Sequence, residues 1–315
     1  MKNVLVLGGT GFVGRHLCEH LNRAGIRATV PTRRLNNAQA VQMLPLVQPL
    51  EADVHDAAAL ARLLPGHDAV VNLIAVLHGS RARFEQVHVE LPRRLAAAMQ
   101  ASGVRRLVHV SALGASASGP SEYQRSKAAG EAVLQAAGLE LTILRPSVIF
   151  GAEDRFLNLF ASLQKLFPLM PLAGSQARLQ PVWVGDVARA LLHCLLHPAT
   201  SGQIIECAGP ETFSLADLVR LAGRLSGHPR PVLPLPRALG YAQALLMQLL
   251  PGEPLLSADN LRSLEVDNVA SGQLPDLRAL GIEPQALEPL AARYLDQAGR
   301  ADPLLALRKH AVHRK

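Results

Sequence analysis

The residues best suited to chemistry are Tyr123 and Lys127, four positions apart, with Ser111 twelve residues before the tyrosine. Residues at i and i+4 of a helix share one face. The Lys127 ammonium would then favour the phenolate and lower the Tyr123 pKa from its ordinary value of about 10. We therefore expect Tyr123 to act as an acid/base with Lys127 as its electrostatic partner, and Ser111 to hydrogen-bond the substrate oxygen.

A glycine-rich segment near the N-terminus is suited to binding a pyrophosphate. It reads Gly8-Gly9-Thr10-Gly11-Phe12-Val13-Gly14, follows an apolar strand-like run and opens a helical pattern. The first glycines permit a tight turn, Gly11 lets the backbone approach the phosphates, and Gly14 lets the helix pack closely on the strand. The amides and positive dipole end of the helix would face the phosphates. The segment therefore predicts nucleotide binding.

Two arginines, Arg33 and Arg34, follow the second strand-like run. An NAD-preferring site usually places an acidic residue about 20 residues past the glycines, on the ribose 2′-hydroxyl. This sequence has no acid there, and guanidinium groups suit a 2′-phosphate by charge and geometry. The sequence therefore favours NADP(H) over NAD(H), the alternative being that the arginines are a solvated surface pair.

Two further segments close predicted strands and are cofactor-binding candidates. Asp53-Val54 follows the third strand, where a carboxylate can accept a hydrogen bond from the adenine amino group. The alternative is that Asp53 caps the helix that starts near Asp56. Asn72-Leu73-Ile74-Ala75 closes the fourth strand and should lie along the cofactor.

Apolar strand-like runs alternate with helical patterns through the first two thirds of the chain. The predicted strands are 3–8, 26–31, 45–50, 68–75, 105–111, 140–146 and 203–207, and the helical patterns include 12–24, 56–64, 81–101 and 122–137. This alternation predicts an α/β fold, a Rossmann doubly wound parallel sheet of about seven strands with helices on both faces. Ligands of such sheets bind at the carboxyl ends of the strands.

The regular alternation weakens after Gly151, which predicts a division of the chain. We expect residues 1–150 to form a NAD(P)-binding Rossmann domain that is completed by about 181–210. Residues 151–180 and 211–298 would form a smaller, mostly helical C-terminal lobe for substrate or partner. Residues 299–315 would form a basic tail.

Composition excludes several classes of protein. With 49% hydrophobic and 18% charged residues, the 315-residue chain is not intrinsically disordered. A net charge of +7 comes with 3% aromatic residues and no recognition motif, so we expect no nucleic-acid partner. Three widely separated cysteines fit a reduced, cytoplasmic compartment. The histidines form no ligand pattern, so no metal is expected.

Together, the glycine motif, Ser111 and the Tyr123–Lys127 pair resemble the short-chain dehydrogenase/reductase superfamily, in its extended or atypical branch. Two more segments carry this resemblance, Arg145-Pro-Ser-Val-Ile-Phe-Gly151 and Pro181-Val-Trp-Val-Gly-Asp-Val-Ala188. The resemblance implies a nicotinamide near Pro146, Ser147 and Val148. Superfamily members often carry an asparagine that organises a proton relay where this sequence has His88, which we expect to lie beside the cofactor.

A narrower resemblance rests on four segments: Ser111-Ala-Leu-Gly-Ala115, Ser121-Glu-Tyr-Gln-Arg-Ser-Lys127, Phe150-Gly-Ala-Glu-Asp-Arg-Phe-Leu-Asn158 and Leu264-Glu-Val-Asp-Asn-Val269. They look like the accessory NAD(P)H-binding subunits of respiratory complex I and their bacterial relatives. That resemblance implies tightly held NADPH and association with a membrane complex or with quinone metabolism. In that group, enzymatic turnover is not the established role.

Residues 237–250 form an apolar helical pattern that is too short to span a bilayer. It is either a buried helix of the lobe or an exposed helix that docks on a membrane or a subunit. The segment 300–315 carries five basic residues and one acidic residue, and such a tail is attracted to anionic lipid. We hypothesise peripheral association at the cytoplasmic face of the inner membrane.

Two functions remain open from the sequence. The first is an NADP(H)-binding protein of the complex I accessory type, peripheral to the membrane and linked to respiratory or quinone metabolism. The second is an active NAD(P)-dependent reductase, dehydrogenase or epimerase that uses Ser111, Tyr123 and Lys127 on an apolar, quinone- or polyprenyl-type substrate. The sequence specifies neither turnover nor an oligomeric state.

Overall fold

The structure, a computed structural model, describes residues 1–248 and 257–296. In these residues the strands are β1 (Asn3–Leu7), β2 (Arg27–Thr32), β3 (Val47–Glu51), β4 (Ala69–Asn72), β5 (Arg106–Val110), β6 (Glu140–Pro146), β7 (Ile149–Phe150), β8 (Met170–Ala173), β9 (Arg178–Leu179), β10 (Val182–Trp183), β11 (Ile204–Cys207), β12 (Phe213–Ser214) and β13 (Val232–Leu235). The helices are α1 (Phe12–Arg23), α2 (Ala57–Leu63), α3 (Arg81–Glu85), α4 (Leu91–Ser102), α5 (Glu122–Gln135), α6 (Leu157–Leu166), α7 (Val184–Leu196), α8 (Leu215–Leu225), α9 (Arg237–Gln248), α10 (Ala258–Ser263) and α11 (Leu287–Leu295).

Seven strands form one parallel sheet in the order β11-β6-β5-β4-β1-β2-β3. They are the seven predicted strands, so the predicted α/β doubly wound sheet is confirmed. The strand order reverses between β1 and β4, and a crevice therefore opens at the carboxyl ends of these two strands. The glycine-rich segment follows β1 and Leu73 follows β4, so both motifs meet at this crevice.

Helices cover both faces of the sheet because its strands are apolar on both sides. On one face, α1 and α7 pack on the sheet through buried side chains such as Leu17, Leu21 and Leu191. On the other face, α2, α4 and α5 pack through side chains such as Leu60 and Leu95. The strand β1 lies beside the central strand β4, and its residues Val4–Leu7 are fully buried.

The predicted helix 81–101 is interrupted in the structure. Residues Gln86–Glu90 form a π-helical turn between α3 and α4. At this turn α5 passes so close that a Cβ on Gly130 would lie 2.0 Å from the carbonyl oxygen of His88. The sequence pattern shows a continuous helix because the deviation depends on this neighbour from another part of the chain.

A second hydrophobic core lies outside the sheet. It joins Phe150 to side chains of α6, α8 and α11, among them Leu157, Leu218 and Ala291. We call the elements α6, α8, α9, α10 and α11, with the short strands β8, β9, β12 and β13, the lobe. Within it, β13 pairs with β8 and α9 packs on β8.

The apolar pattern at 237–250 forms α9 as far as the structure describes it, since residues 249 and 250 and the tail 299–315 lie outside the described residues. One face of α9 is packed: Ala244 is fully buried, and a Cβ on Gly240 would lie 2.4 Å from the Cβ of Ala173. Another face is open, where Leu239 and Leu245 are more than half exposed. No helix in the described part of the chain is long and apolar enough to cross a membrane.

Candidate functional site

The glycine-rich segment forms a tight turn into α1. Gly8 has φ +83°, a conformation that side chains disfavour. A Cβ on Gly14 would lie 2.3 Å from the carbonyl oxygen of Gly8 and 2.5 Å from the Cα of Gly9, so helix and turn are in backbone contact. Gly11 begins α1 without a side-chain cap, and the first turn holds no acidic residue. The helix N-terminus is therefore suited to an anion.

The turn lies against the segment that follows β4. A Cβ on Gly8 would approach Leu73 and Ile74 to 3.2–3.3 Å, which brings these predicted cofactor-binding residues together with the glycines. On the other side, Phe12 packs against Gly151, where an added Cβ would lie 3.0 Å from the ring. The turn therefore also contacts the segment that leads into the lobe.

Asn72 is fully buried, and its side chain is engaged within the protein. Its Oδ1 accepts a hydrogen bond from the Ile74 amide at 3.2 Å, and its Nδ2 donates to Nδ1 of His109 at 3.2 Å. Burial holds the pKa of His109 well below its ordinary value, so this ring is neutral. Through Ile74, Asn72 thus shapes the segment that follows β4 at the crevice.

The two arginines at the end of β2 are exposed at the edge of the sheet. The hydroxyl of the preceding Thr32 donates to the carbonyl oxygen of Arg34 at 3.1 Å and holds the turn. Burial lowers the pKa of His55; the nearby Asp53 carboxylate opposes this, and Arg83, Arg33 and Arg94 lie close enough to lower the pKa further. This end of the crevice therefore carries more positive than negative side chains. Arg83 and Arg94 were not singled out from the sequence.

Asp53 does not cap the following helix, so the alternative interpretation of this residue is wrong. The cap of α2 is Asp56, which accepts from the Ala58 amide at 3.0 Å. Asp53 is exposed, and one carboxylate oxygen accepts from the His55 amide at 3.0 Å in a local turn. Its role toward adenine, with the buried Val54 beside it, stays a prediction.

The three candidate catalytic residues come from β5 and α5. Ser111 follows β5 directly, and its buried hydroxyl has no hydrogen-bond partner among the described residues. The Lys127 side chain is 2% exposed and donates from Nζ to the carbonyl oxygen of Val110 at 2.8 Å. The structure thus places Lys127 beside the end of the strand that carries Ser111.

The acidity of Tyr123 differs from the expectation. Burial raises its pKa to about 12, whereas the sequence predicted a value lowered by Lys127. Burial also lowers the pKa of Lys127 to about 8, against the opposing effect of Glu131. The predicted pKa shift was wrong because desolvation dominates at Tyr123 and the Lys127 ammonium is engaged by a backbone carbonyl.

His88 lies between the loop after β4 and the helix of Tyr123. Its Nε2 accepts from the Val76 amide at 3.1 Å, so the neutral ring carries its proton on Nδ1 and donates to Ser126 Oγ at 2.8 Å. Ser126 in turn donates to the carbonyl oxygen of Tyr123 at 2.9 Å. Burial and then Lys127 lower the His88 pKa to about 3. Both ring nitrogens therefore contact protein groups, and a cofactor contact of His88 stays a prediction.

The strand β6 ends at Pro146, and Ser147 and Val148 follow it at the carboxyl edge of the sheet. Pro146 accepts from the Leu113 amide at 2.8 Å, which joins the ends of β5 and β6, and Val148 accepts from the Val182 amide at 2.9 Å. The hydroxyl of Ser147 donates to Oδ1 of Asn268 at 2.6 Å.

Asn268 was not singled out as a site residue, although it lies in a segment that carries the narrower resemblance. Besides accepting from Ser147, its Nδ2 donates to the carbonyl oxygen of Leu113 at 2.9 Å. One side chain thus links the loops that follow β5 and β6. The sequence pattern contains no sign of this link because the partners lie more than 100 residues away.

The segment from Phe150 to Asn158 is held by Asp154. This carboxylate is 4% exposed and accepts from the backbone amides of Gly151, Phe156, Leu157 and Asn158. The Tyr294 hydroxyl of α11 donates to it at 2.7 Å. Asp154 therefore closes the start of α6 and ties it to the end of the described chain.

The residues present fit a nicotinamide nucleotide. The glycine turn leaves backbone space at Gly11, where an added Cβ would meet only the Gly8 carbonyl oxygen at 3.2 Å. Arg33 and Arg34 follow β2 at the carboxyl edge of the sheet, and Ser111, whose buried hydroxyl has no partner among the described residues, follows β5 at the same edge. A bound nucleotide would supply hydride transfer, and the chain would hold its phosphates and place its ring.

Comparison with known proteins decides the family. The model of the NAD dependent epimerase/dehydratase family matches residues 4–208. This chain belongs to that family. The predicted resemblance to the extended branch of the short-chain dehydrogenases is thereby confirmed, and nicotinamide nucleotide binding is a property of the family.

Relatives and solved structures extend the comparison. A mitochondrial protein of Mus musculus, NADH dehydrogenase [ubiquinone] 1 alpha subcomplex subunit 9, is 34% identical over 290 residues, which cover 90% of this chain and 77% of that protein. A ceramide reductase of Caulobacter vibrioides is 28% identical over 235 residues, 74% of this chain and 73% of that protein. The UDP-glucose 4-epimerase of Thermus thermophilus, solved with NAD, shares the fold at TM-score 0.69 and 22% identity over 95% of this chain and 99% of that one. The first relative confirms the narrower resemblance to complex I accessory subunits.

Proposed function

We propose that this chain holds NADP(H) in the crevice between β1 and β4 and attaches, through its lobe, to a respiratory complex at the membrane surface. The observation that carries this proposal is the extent of the similarity to the mouse complex I subunit. The family model ends at residue 208, whereas that similarity covers 90% of the chain and so includes most of the lobe. A shared nucleotide-binding sheet alone does not account for it.

The preference for NADP(H) is supported by charge at the end of β2. Arg33 and Arg34 are exposed there, and Arg83 and Arg94 add positive charge around His55. A dianionic 2′-phosphate is stabilised by such groups, whereas the ribose hydroxyl of NAD gains little from them.

Attachment is supported by the exposed apolar side chains of the lobe. They lie at the end of α6 and just after it, on β13 and on the open face of α9: Leu166, Phe167, Leu169, Leu233, Leu239 and Leu245. Because β13 pairs with β8, which starts directly after this α6 segment, and α9 packs on β8, these side chains come from neighbouring elements. Exposed apolar residues on adjacent elements favour an interaction surface.

The nucleotide is tested by denaturing freshly purified protein and identifying what is released by mass spectrometry. Stoichiometric NADPH supports a retained cofactor. An empty protein that binds NADPH weakly and reversibly contradicts retention and indicates an exchangeable co-substrate. Retained NAD contradicts the interpretation of Arg33 and Arg34.

Attachment is tested by co-sedimentation with vesicles containing anionic phospholipid and with membranes that hold complex I. We expect binding that Leu239→Asn with Leu245→Asn weakens. The matched control is Met43→Asn, because Met43 is 81% exposed but lies between β2 and β3, away from the lobe. No binding to either membrane at low salt would contradict the attachment.

A second function, an active reductase, dehydrogenase or epimerase on an apolar substrate, is favoured by one observation. The buried Ser111 hydroxyl lies unpartnered, among the described residues, next to the end of β5 that Lys127 contacts. Such a donor fits a substrate oxygen, and the similar ceramide reductase acts, by its name, on a lipid. Tyr123→Phe separates the two functions: loss of the cellular function with nucleotide binding intact means catalysis, and full retention means a structural role.

A further inference from the structure

The N-terminus of α5, which carries Tyr123, is closed by a side chain from the lobe. The carboxylate of Asp259 accepts from the Glu122 amide at 2.8 Å and from the Tyr123 amide at 3.0 Å. These are the first two amides of the helix, which have no partner within it. The third amide, Gln124, is capped separately by Ser121 at 3.1 Å. One lobe residue therefore contacts the backbone of the candidate acid/base directly.

Asp259 is itself held in place by α10. Ser257 caps this helix by accepting from the Asn260 amide at 3.1 Å, and Leu261 is buried against Ala173 and Ala244 of the lobe. The Asp259 side chain is 15% exposed, and Arg262 lies 3.9 Å from it. The position of the carboxylate is thus set by the packing of α10 in the lobe.

A cavity of about 440 Å³ lies between the lobe and the part of the chain that forms the sheet. From the sheet side it is lined by His78, Ser80 and Phe84, and from the lobe by Ser257, Asp259 and Arg262. The Phe84 ring meets the Tyr123 ring edge to face, with centroids 6.2 Å apart. The contact of Asp259 with α5 therefore holds α10 against the wall of the cavity that includes Phe84 and Glu122, the neighbours of Tyr123.

We infer that Asp259 is a positioning residue through which the lobe holds Tyr123 in its place against Phe84, a side chain that lines this cavity. The inference rests on the second proposed function only in treating Tyr123 as the acid/base, and it concerns no contact with the nucleotide. A charged acceptor on two amides makes stronger hydrogen bonds than a neutral one and favours the positive end of the helix.

The test compares Asp259→Ala and Asp259→Asn with Asp217→Asn. Asp217 lies in the first turn of α8 and accepts from Ser214, so it is a matched lobe carboxylate away from α5. Amide hydrogen exchange by NMR should show a loss of protection of roughly tenfold or more at Glu122 and Tyr123, the scale of one lost charge-assisted hydrogen bond. Gln124 should keep its protection. Unchanged exchange at Glu122 and Tyr123 would refute the inference.

The second measurement is the pKa of Tyr123, which a side chain that only capped the helix would leave unchanged. The ionisation of Tyr123 is followed by absorbance, as the difference between each protein and the same protein with Tyr123→Phe. We expect its pKa to fall from about 12 towards its ordinary value in Asp259→Ala, less in Asp259→Asn, and not at all in Asp217→Asn. Loss of amide protection with an unchanged Tyr123 pKa would show a cap and overturn the positioning role.

Measuring the bound nucleotide distinguishes a failure of this inference from a failure of the proposed NADP(H) binding. The Asp259 variants should retain the wild-type amount of nucleotide, because the Asp259 carboxylate contacts α5 and α10 and not the glycine turn. A wild-type protein that neither retains nor binds NADPH refutes the proposed NADP(H) binding and leaves the exchange and titration results to decide the role of Asp259.

Discussion

Replacing Gly11 and Gly14 by alanine, one at a time, separates the two roles that the glycine turn combines. An added Cβ on Gly14 would lie 2.3 Å from the Gly8 carbonyl oxygen and 2.5 Å from the Gly9 Cα. These are backbone atoms of a tight turn, so neither neighbour is a flexible side chain that can move away. At Gly11 the nearest atom is the Gly8 oxygen at 3.2 Å, and φ is −77°, which alanine tolerates.

The expected magnitudes differ accordingly. Alanine is favoured over glycine in a helix interior by about 1 kcal/mol, but overpacking costs about 1–3 kcal/mol and more where backbone must shift. We expect Gly14→Ala to lose about 2 kcal/mol of unfolding free energy. Gly11→Ala should lose under about 1 kcal/mol at this helix start. Its Cβ would displace the phosphates, and the loss of one charge-assisted hydrogen bond, about 1.5–3 kcal/mol, weakens NADPH binding at least tenfold.

The assay pairs urea unfolding without nucleotide with titration of NADPH fluorescence. Gly11→Ala should unfold close to wild type and bind NADPH poorly, whereas Gly14→Ala should unfold early. If Gly11→Ala binds NADPH within a factor of about three of wild type, the phosphates do not approach this backbone. If Gly14→Ala is as stable as wild type, the helix does not depend on contact with the turn.

Three further changes test other parts of the site. The double variant Arg33→Ser, Arg34→Ser should weaken NADPH binding about tenfold or more and leave NADH binding unchanged, because only NADPH carries the 2′-phosphate. Both affinities are measured by fluorescence titration, and equal losses for the two nucleotides would contradict this prediction. The pKa of His88 is about 3 in the folded protein and about 6.5 in the unfolded chain. Between these values the unfolded chain binds a proton that the folded protein does not, so the free energy of unfolding falls as the pH drops from about 6.5 towards 3. In urea unfolding between pH 4.5 and 7, His88→Gln should flatten that dependence, and an unchanged slope would show that the ring is not held neutral. Tyr294→Phe removes a 2.7 Å hydrogen bond to Asp154 and should cost about 1.5 kcal/mol of unfolding free energy with NADPH binding intact; a change in NADPH affinity would show that this contact reaches the crevice.

Much of the sheet was predictable because its signals are local. Apolar runs such as Val4–Leu7 alternate with helical patterns, and the structure shifts the predicted strand ends by only a few residues. The short strands β7–β10, β12 and β13 were not predicted, since two to four residues carry no period and their pairing comes from tertiary packing. The helix 81–101 was wrong in its middle for the same reason, because the π-helical turn depends on the approach of Gly130 to His88.

The candidate site likewise has features that the sequence predicts and features that depend on tertiary packing. A spacing of four residues places Tyr123 and Lys127 on one helix face, and this needs only helix geometry. The direction of the Lys127 side chain and the raised pKa of Tyr123 follow from burial and from the Val110 carbonyl. Neither quantity is encoded in the spacing.

By itself, the sequence determined the family, the parallel sheet and the groups that could hold a nucleotide, because each depends on residues close together in the chain. Only the tertiary structure decided which lobe residues reach the site. Asn268 contacts Leu113 and Ser147, and Asp259 contacts Tyr123, across separations of more than 100 residues. Such hydrogen bonds depend on how the lobe packs against the sheet, and packing geometry is a property of the whole folded chain.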